Sequence, residues 1–433
     1  MDTLSLEADS GGSIDREELE GLLEGYTDNM SDEIDCVLII PPDATRKHSR
    51  AGIITNIIYH KLIDSVQNID IMPALGTHSP MDEEKLIDMF GDDIPLRCFE
   101  VHRWREDTVK IGEVPEKFIN EVSEGKLNES IDVKINERLL DDKYDKIISI
   151  GQVLPHEVVG MANYTKNIVV GCGGKEIINR SHYLGAVYGL ERLIGRDHSP
   201  VRRVYDYVEK NLLYDIPLDY LLTVNKSSVD SRTGLAELVG IFIGRDRDAF
   251  EKAVELSRAY NIDFLETSVK KFVVYLSPEE FKSTWLGNKA IYRTRLAIAE
   301  GGELIIIAPG LETMGEDDEF DKLIRKYGYV SKEEVHKLVK QNVDLQENLA
   351  VAAHLIHGSP EGRFKVRYAS DNISAEELNE VGYSHIPLAE AKSQYDPEQL
   401  DQGINNIKEE KIYYIENPAV GLWAEKDKFA QMS

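Results

Sequence analysis

Apolar residues along this chain fall in short dense runs, separated by longer stretches in which they recur every three or four positions. Residues 34–40 form a nearly continuous apolar run, the pattern of a strand covered on both faces of a parallel sheet. Pro41-Pro42-Asp43 ends it, and helical spacing over 50–66 follows. The alternation repeats, with strands predicted at 70–75, 94–101, 146–150, 167–170, 220–224 and 238–243. Helices are predicted from 81, over 176–194 and over 246–260. A second unit begins near residue 266, with strands at 272–276, 303–308 and 364–368, a helix over 279–299, and helices between 318 and 357. Strands alternating with helices imply an α/β protein. The pattern predicts two α/β domains with mainly parallel sheets and an active site in the cleft between them.

The predicted organisation has four parts. Residues 1–34 are rich in Asp, Glu, Gly and Ser, with Arg16 the only basic residue, and read as an acidic arm, mobile or loosely docked. The N-terminal domain spans 35–265 and the C-terminal domain 266–395. Residues 396–433 form a C-terminal segment with a return to the N-terminal domain as one route.

Composition narrows the functions. A chain of 433 residues exceeds one ordinary core, and 42% hydrophobic residues suffice to fill two. With 50 Lys and Arg against 78 Asp and Glu, the formal charge is −28, which repels phosphate backbones and disfavours nucleic acid. No apolar stretch is long enough to cross a membrane, and the N-terminus lacks the order of a secretory signal, so a cytoplasmic protein is expected. Cys36, Cys98 and Cys172 stand far apart, against a disulfide scaffold or a cysteine-rich zinc site. An anionic substrate would need a local minority of positive groups.

Such groups gather after successive predicted strands, where ligands bind in open α/β sheets. The first strand is followed by Asp43-Ala44-Thr45-Arg46, the second by Gly76-Thr77-His78, the strand ending at Ile150 by Pro155-His156, and the next by Gly171-Cys172-Gly173-Gly174-Lys175. Arg46 offers a planar fork for a carboxylate or phosphate. An isolated Asp-x-Thr-Arg is more often a surface turn. Either His78 or His156 suits acid–base work, although a lone histidine is usually structural. Gly173, Gly174 and Lys175 resemble a phosphate-cradling loop before a helix, yet lack the spacing of a Walker loop or a dinucleotide fingerprint. His198 ends a later helical stretch, where it either caps the helix or serves as a metal ligand; His182 competes for that role.

In this order the segments resemble the nickel-dependent lactate racemase family. The matching pieces are Asp43-Ala44-Thr45-Arg46, Ala74-Leu75-Gly76-Thr77-His78, Pro155-His156, the loop ending at Lys175, and His198. Weaker similarity continues through Asn288-Lys289 to residue 330. The resemblance implies an isomerase acting at C2 of a 2-hydroxy acid, lactate-like, malate-like or a sugar acid. It implies a nickel-pincer nucleotide, a pyridinium mononucleotide whose two sulfur-bearing arms hold nickel, supplied by separate biosynthetic enzymes. By that resemblance His78 and His156 are the acid/base pair, and Arg46 and Lys289 bind substrate. Asp43, Thr45, Gly173, Gly174 and Lys175 serve the cofactor, with Lys175 joined to it covalently, and His198, or alternatively His182, binds nickel. The chain departs from the family pattern in the spacing from Pro155-His156 to Lys175 and on to His198. Three other readings compete. A dinucleotide dehydrogenase would need a glycine-rich loop where Pro42-Asp43-Ala44-Thr45-Arg46 stands. A non-catalytic carrier of the nickel nucleotide or a small acid would not need both histidines. A metal-assisted hydrolase or lyase would use the same ones.

Overall fold

The structure, a computed structural model, describes residues 3–30, 34–230 and 232–432. The chain divides into two compact units, one of residues 1–181 and 197–261, the other of 182–196 and 262–433. Each carries a six-stranded, mainly parallel sheet flanked by helices. No helix among the described residues is long and apolar enough to cross a membrane.

The first sheet comprises β1 (Leu4–Glu7), β2 (Cys36–Ile40), β3 (Asn68–Ile71), β4 (Lys146–Gln152), β5 (Leu218–Val229) and β6 (Ala236–Gly244), in the order β1-β6-β5-β4-β2-β3. From β5 to β3 the pairing is parallel, and β6 and β1 add antiparallel strands at one edge. Val37, Leu38, Ile39 and Ile40 are wholly buried, which explains the unbroken apolar run. Each contributes about 1.5–3 kcal/mol of burial. Because β2, β3 and β4 run the same way, the segments carrying Asp43, His78 and His156 all leave carboxyl ends of this sheet.

The acidic arm is a working part of this unit, which corrects the expectation of a loosely docked segment. Leu4–Glu7 pairs antiparallel with β6 in register Leu4↔Ile243 to Glu7↔Gly240. Helix Arg16–Asp28, closed by an Asp15–Glu18 capping box, buries Leu19, Leu23 and Tyr26. Tyr26 donates its hydroxyl proton to Asp219 at 2.9 Å. The acidic composition lies on the outer face and hides a buried stripe at helical spacing.

The second sheet comprises β7 (Val269–Tyr275), β8 (Ile298–Ile307), β9 (Phe364–Ala369), β10 (Ser384–Ile386), β11 (Gly403–Ile407) and β12 (Glu410–Ile415), in the order β10-β9-β8-β7-β12-β11. Only β11 is antiparallel. The C-terminal segment therefore stays in the second unit rather than returning to the first. Its later strand Leu422–Glu425 pairs with Ile262–Leu265 of the same unit.

Four predicted elements differ, one being the helix over 279–299, which is two short helices, Thr284–Gly287 and Lys289–Thr294, with strand from Ile298 onward. Residues 94–101 contain a 3-10 turn at Leu96–Cys98 instead of a strand. Residues 167–171 form a five-residue π-helical turn instead of a strand. The helix predicted over 176–194 runs Lys175–Tyr188 and breaks at Gly189, whose φ of 117° no helix accommodates.

Candidate active site

Pro42 pairs with Ala74 in an isolated parallel bridge, so the loops after β2 and β3 continue side by side past the sheet. Asp43 then opens the 3-10 turn Ala44–Ser49. One carboxylate oxygen accepts from the Thr45 amide at 3.1 Å and from Thr45 Oγ1 at 2.5 Å. Its other oxygen accepts from His78 Nδ1 at 2.5 Å. Asp43 is 5% exposed, whereas the His78 side chain is 54% exposed. Burial works to raise the Asp43 carboxyl. The hydrogen bond and charge of His78, the Thr45 hydroxyl and the charge of Arg46 outweigh it and hold the carboxyl below its ordinary value. An ionised Asp43 can only accept, so His78 carries its proton on Nδ1 and leaves Nε2 as a lone-pair base.

His156 is set the opposite way. Pro155–His156 pairs antiparallel with Gly160–Met161, and within that tight hairpin the Val158 amide donates to His156 Nδ1 at 3.1 Å. A nitrogen that accepts from a backbone N–H bears no proton, so neutral His156 holds its proton on Nε2. The Glu157 carboxylate lies 3.9 Å from the same Nδ1. One histidine thus presents a base and the other a donor.

Lys166 feels charges from both segments. This half-buried lysine has Arg46, Glu157, Arg202 and Asp43 as its charged neighbours. It makes no hydrogen bond or ion pair among the described residues, and burial followed by the charge of Arg46 pushes its ammonium down to about 8. Asn163 and Tyr164, just before it, take left-handed φ values of 65° and 58°. For non-glycine residues this costs about 1–2 kcal/mol each. Asn167, just after, donates its amide to Ile40 O at 3.2 Å and Ser149 Oγ at 2.9 Å, tying the segment to β2 and β4. Sequence reasoning passed over Lys166, although it is the only charged residue between 158 and 171. It also passed over Gln152, the last residue of β4, whose amide is buried with neither atom hydrogen-bonded.

Arg46 is half-buried, touches only Thr45 O and Oγ1 at 3.4 and 3.3 Å, and forms no ion pair among the described residues. It remains able to clamp an anion. The glycine loop is otherwise occupied. The amides of Cys172, Gly173 and Gly174 donate to the carbonyls of Ile168, Val170 and Lys134. A side chain at Gly173 would lie 1.8 Å from Val169 O, so close packing requires that glycine. Lys175 begins a helix with its side chain exposed, and forms no ion pair among the described residues. Cradling by that loop, expected from the sequence, is not what its amides do.

His198 is 74% exposed. With Asp197 and Glu251 it forms the one group among the described residues whose donor atoms lie within 4.8 Å of each other. Arg247 already fills the cationic role there. It donates to His198 Nδ1 at 3.3 Å, to Asp197 O at 2.8 Å and to Glu251 at 2.9 Å. Arg258 pairs with Asp197 at 2.8 Å as well. A second cation would face two guanidinium groups. His182 sits half-buried on helix Lys175–Tyr188 and begins the part of it assigned to the second unit. In that unit too, Lys289 lies 4.0 Å from Glu280, with its ammonium 5.6 Å from the Phe281 ring centroid.

Comparison with known proteins places this geometry. Residues 23–189 match the family model of the lactate racemase N-terminal domain. The crystal structure of a Thermotoga maritima protein from a structural genomics programme shares the fold. It is 24% identical, covers 97% of this chain and 100% of its own, and has a TM-score of 0.81. The lactate racemase apoprotein of Thermoanaerobacterium thermosaccharolyticum is 18% identical, with 96% and 90% covered and a TM-score of 0.67. No curated protein matches.

Proposed function

We propose, on the match of residues 23–189 to the lactate racemase N-terminal domain, that this protein is a racemase or epimerase of a 2-hydroxy acid, working with a nickel-pincer nucleotide. The observation that carries the reading is the pair of histidines whose hydrogen bonds imply opposite proton placement, Nδ1–H in His78 and Nε2–H in His156, with Lys166 feeling the charges of Arg46, Glu157 and Asp43.

The residues present fit such a group. Covalent attachment needs an amine that is part unprotonated near neutral pH and not held by a carboxylate, which describes Lys166 and replaces Lys175 in that role. At His198 nickel would compete with the guanidinium cations of Arg247 and Arg258, so His182 is taken as the ligand. When bound, the group supplies an acceptor for the hydride at C2. The chain does the rest. Arg46 holds the substrate carboxylate. His78 Nε2 takes the hydroxyl proton, and the buried Asp43 carboxylate stabilises the imidazolium so formed. His156 Nε2–H hydrogen-bonds to the substrate oxygen and favours its carbonyl form. To give the inverted product its hydroxyl proton, His156 must be doubly protonated, with Nδ1 released from the Val158 amide, and it is left with the proton on Nδ1. For the opposite enantiomer His156 must itself accept the proton. That requires Nδ1 to leave the Val158 amide and take a proton shared with Glu157, 3.9 Å away. A non-catalytic carrier would have no use for this paired arrangement.

The test uses protein produced together with the cofactor-making enzymes. Enantiopure lactate, malate and sugar acids, each deuterated at C2, are incubated and resolved by chiral chromatography. Inversion with the deuterium kept at C2 is expected. Loss of the label to water would replace hydride transfer with proton abstraction, and no inversion by loaded protein would leave the carrier reading.

A further inference from the structure

The segment that presents Lys166 is held in an unfavourable backbone conformation, and the group that holds it is a buried arginine on a separate helix. Asn163 and Tyr164 are consecutive left-handed residues, and neither is glycine. Such a pair persists only where its surroundings over-determine it. Here the N-terminus of helix Pro200–Leu212 grips the segment three times. Ser199 Oγ donates to Val159 O at 2.7 Å, and Arg202 donates through one guanidinium nitrogen to Met161 O at 2.8 Å and Asn163 O at 3.0 Å. Arg202 is 0% exposed, and its Nε and other terminal nitrogen make no hydrogen bond. Its guanidinium carbon lies 4.4 Å from the Phe250 ring centroid, and the same ring stacks on Tyr164 at 5.1 Å and 15°. Tyr164 also donates its hydroxyl proton to Arg245 O at 2.8 Å.

A guanidinium so deeply buried, and satisfied on one nitrogen only, is a poor choice for stability alone. Both hydrogen bonds that it donates go to the segment between His156 and Lys166. We propose that Arg202 is a positioning residue, which fixes the left-handed Asn163–Tyr164 pair and thereby sets where the Lys166 amine stands among Arg46, Asp43 and Glu157. The inference rests on the assignment of Lys166 to the site, but its test needs neither cofactor nor substrate. Arg202 is also one of the charges that lower the Lys166 ammonium, alongside Arg46 and against Glu157 and Asp43.

The full-length chain, made without cofactor, is acylated by trace acetic anhydride across a pH series, and Lys166 is quantified by peptide mass mapping against Lys175 in the same sample. In Arg202→Met, Lys166 acylation at pH 8 should fall about tenfold, from a displaced amine and an upward midpoint shift of about one pH unit, with Lys175 unchanged. Adding Asn163→Gly and Tyr164→Gly, which adopt positive φ without strain, should recover about half of the lost rate on a logarithmic scale while the midpoint stays high. That split is what a purely electrostatic role would not produce. A folded Arg202→Met chain with wild-type Lys166 kinetics overturns the proposal, and so does a triple variant no faster than the single one. If Arg202→Met fails to fold, Arg202→Lys keeps the buried cation but loses the planar fork. A loss of about threefold in Lys166 acylation is then expected, and wild-type kinetics would overturn the proposal equally. Failure of the racemase reading would show elsewhere, as absent inversion with these labelling results intact.

Discussion

The Asp43 carboxylate and the His78 imidazole share a 2.5 Å hydrogen bond in which the acid is buried and the base half-exposed. The arrangement fixes the tautomer of His78 and leaves its other nitrogen able to receive a proton. Thr45 and Arg46, the next residues but one and two, complete the hold on the carboxylate. The four residues Asp43 to Arg46, just past the end of β2, therefore carry an orienting group, its support and an anion clamp.

Asp43→Asn keeps the shape and an acceptor for His78 but removes the charge that stabilises an imidazolium. Inversion should fall by about 10²–10⁴-fold with little change in substrate affinity. Because the folded carboxyl lies below its unfolded value of 3.8, its contribution to stability is fully present above that value. It is lost as the pH falls through the lower folded value. Thermal melts of wild type and Asp43→Asn should differ at pH 6 and converge in strong acid; a gap that persists there would contradict the assignment.

The two histidines should be distinguishable without any substrate. Nitrogen-15 spectra of the side chains should show neutral His78 protonated on Nδ1 and neutral His156 on Nε2. The same tautomer at both positions would remove the basis for their different roles.

Nickel content separates the two candidate ligands. In protein carrying the nickel nucleotide, His198→Ala should keep its metal, since Arg247 and Arg258 already occupy that corner. His182→Ala should lose it. The reverse outcome would return His198 to the metal.

The N-terminal arm should behave as core. Tyr26→Ala removes a wholly buried ring and its bond to Asp219, at about 3–5 kcal/mol, a Tm loss of about 10 °C. A melt unchanged by the substitution would mean that the helix carrying Tyr26 is not docked.

Where the sequence could be read, one physical signal dominated locally. The run over 34–40 is apolar because β2 is covered on both faces, and the residues after each parallel strand are polar because the chain leaves the sheet there. Elsewhere tertiary demands overrode local pattern. Ile168-Val169-Val170 has the composition of a strand, yet it forms a π-helical turn in which Asn167 binds the ends of β2 and β4. The arm's acidic residues masked Leu19, Leu23 and Tyr26 at helical spacing. Lys175 drew notice because glycines surround it, but those glycines answer to packing. Lys166 stood alone in an apolar stretch, and only the fold shows that Arg46, Asp43 and Glu157 are its neighbours.

The proposed racemase carries its nickel nucleotide on Lys166, at a site built by Asp43, His78 and His156. Peptide mass mapping with nickel analysis, on protein co-produced with the cofactor-making enzymes, tests it most directly. A mass increment confined to the peptide containing Lys166 is expected, with about one nickel per chain. An unmodified, nickel-free chain, or an increment on Lys175 instead, would contradict it.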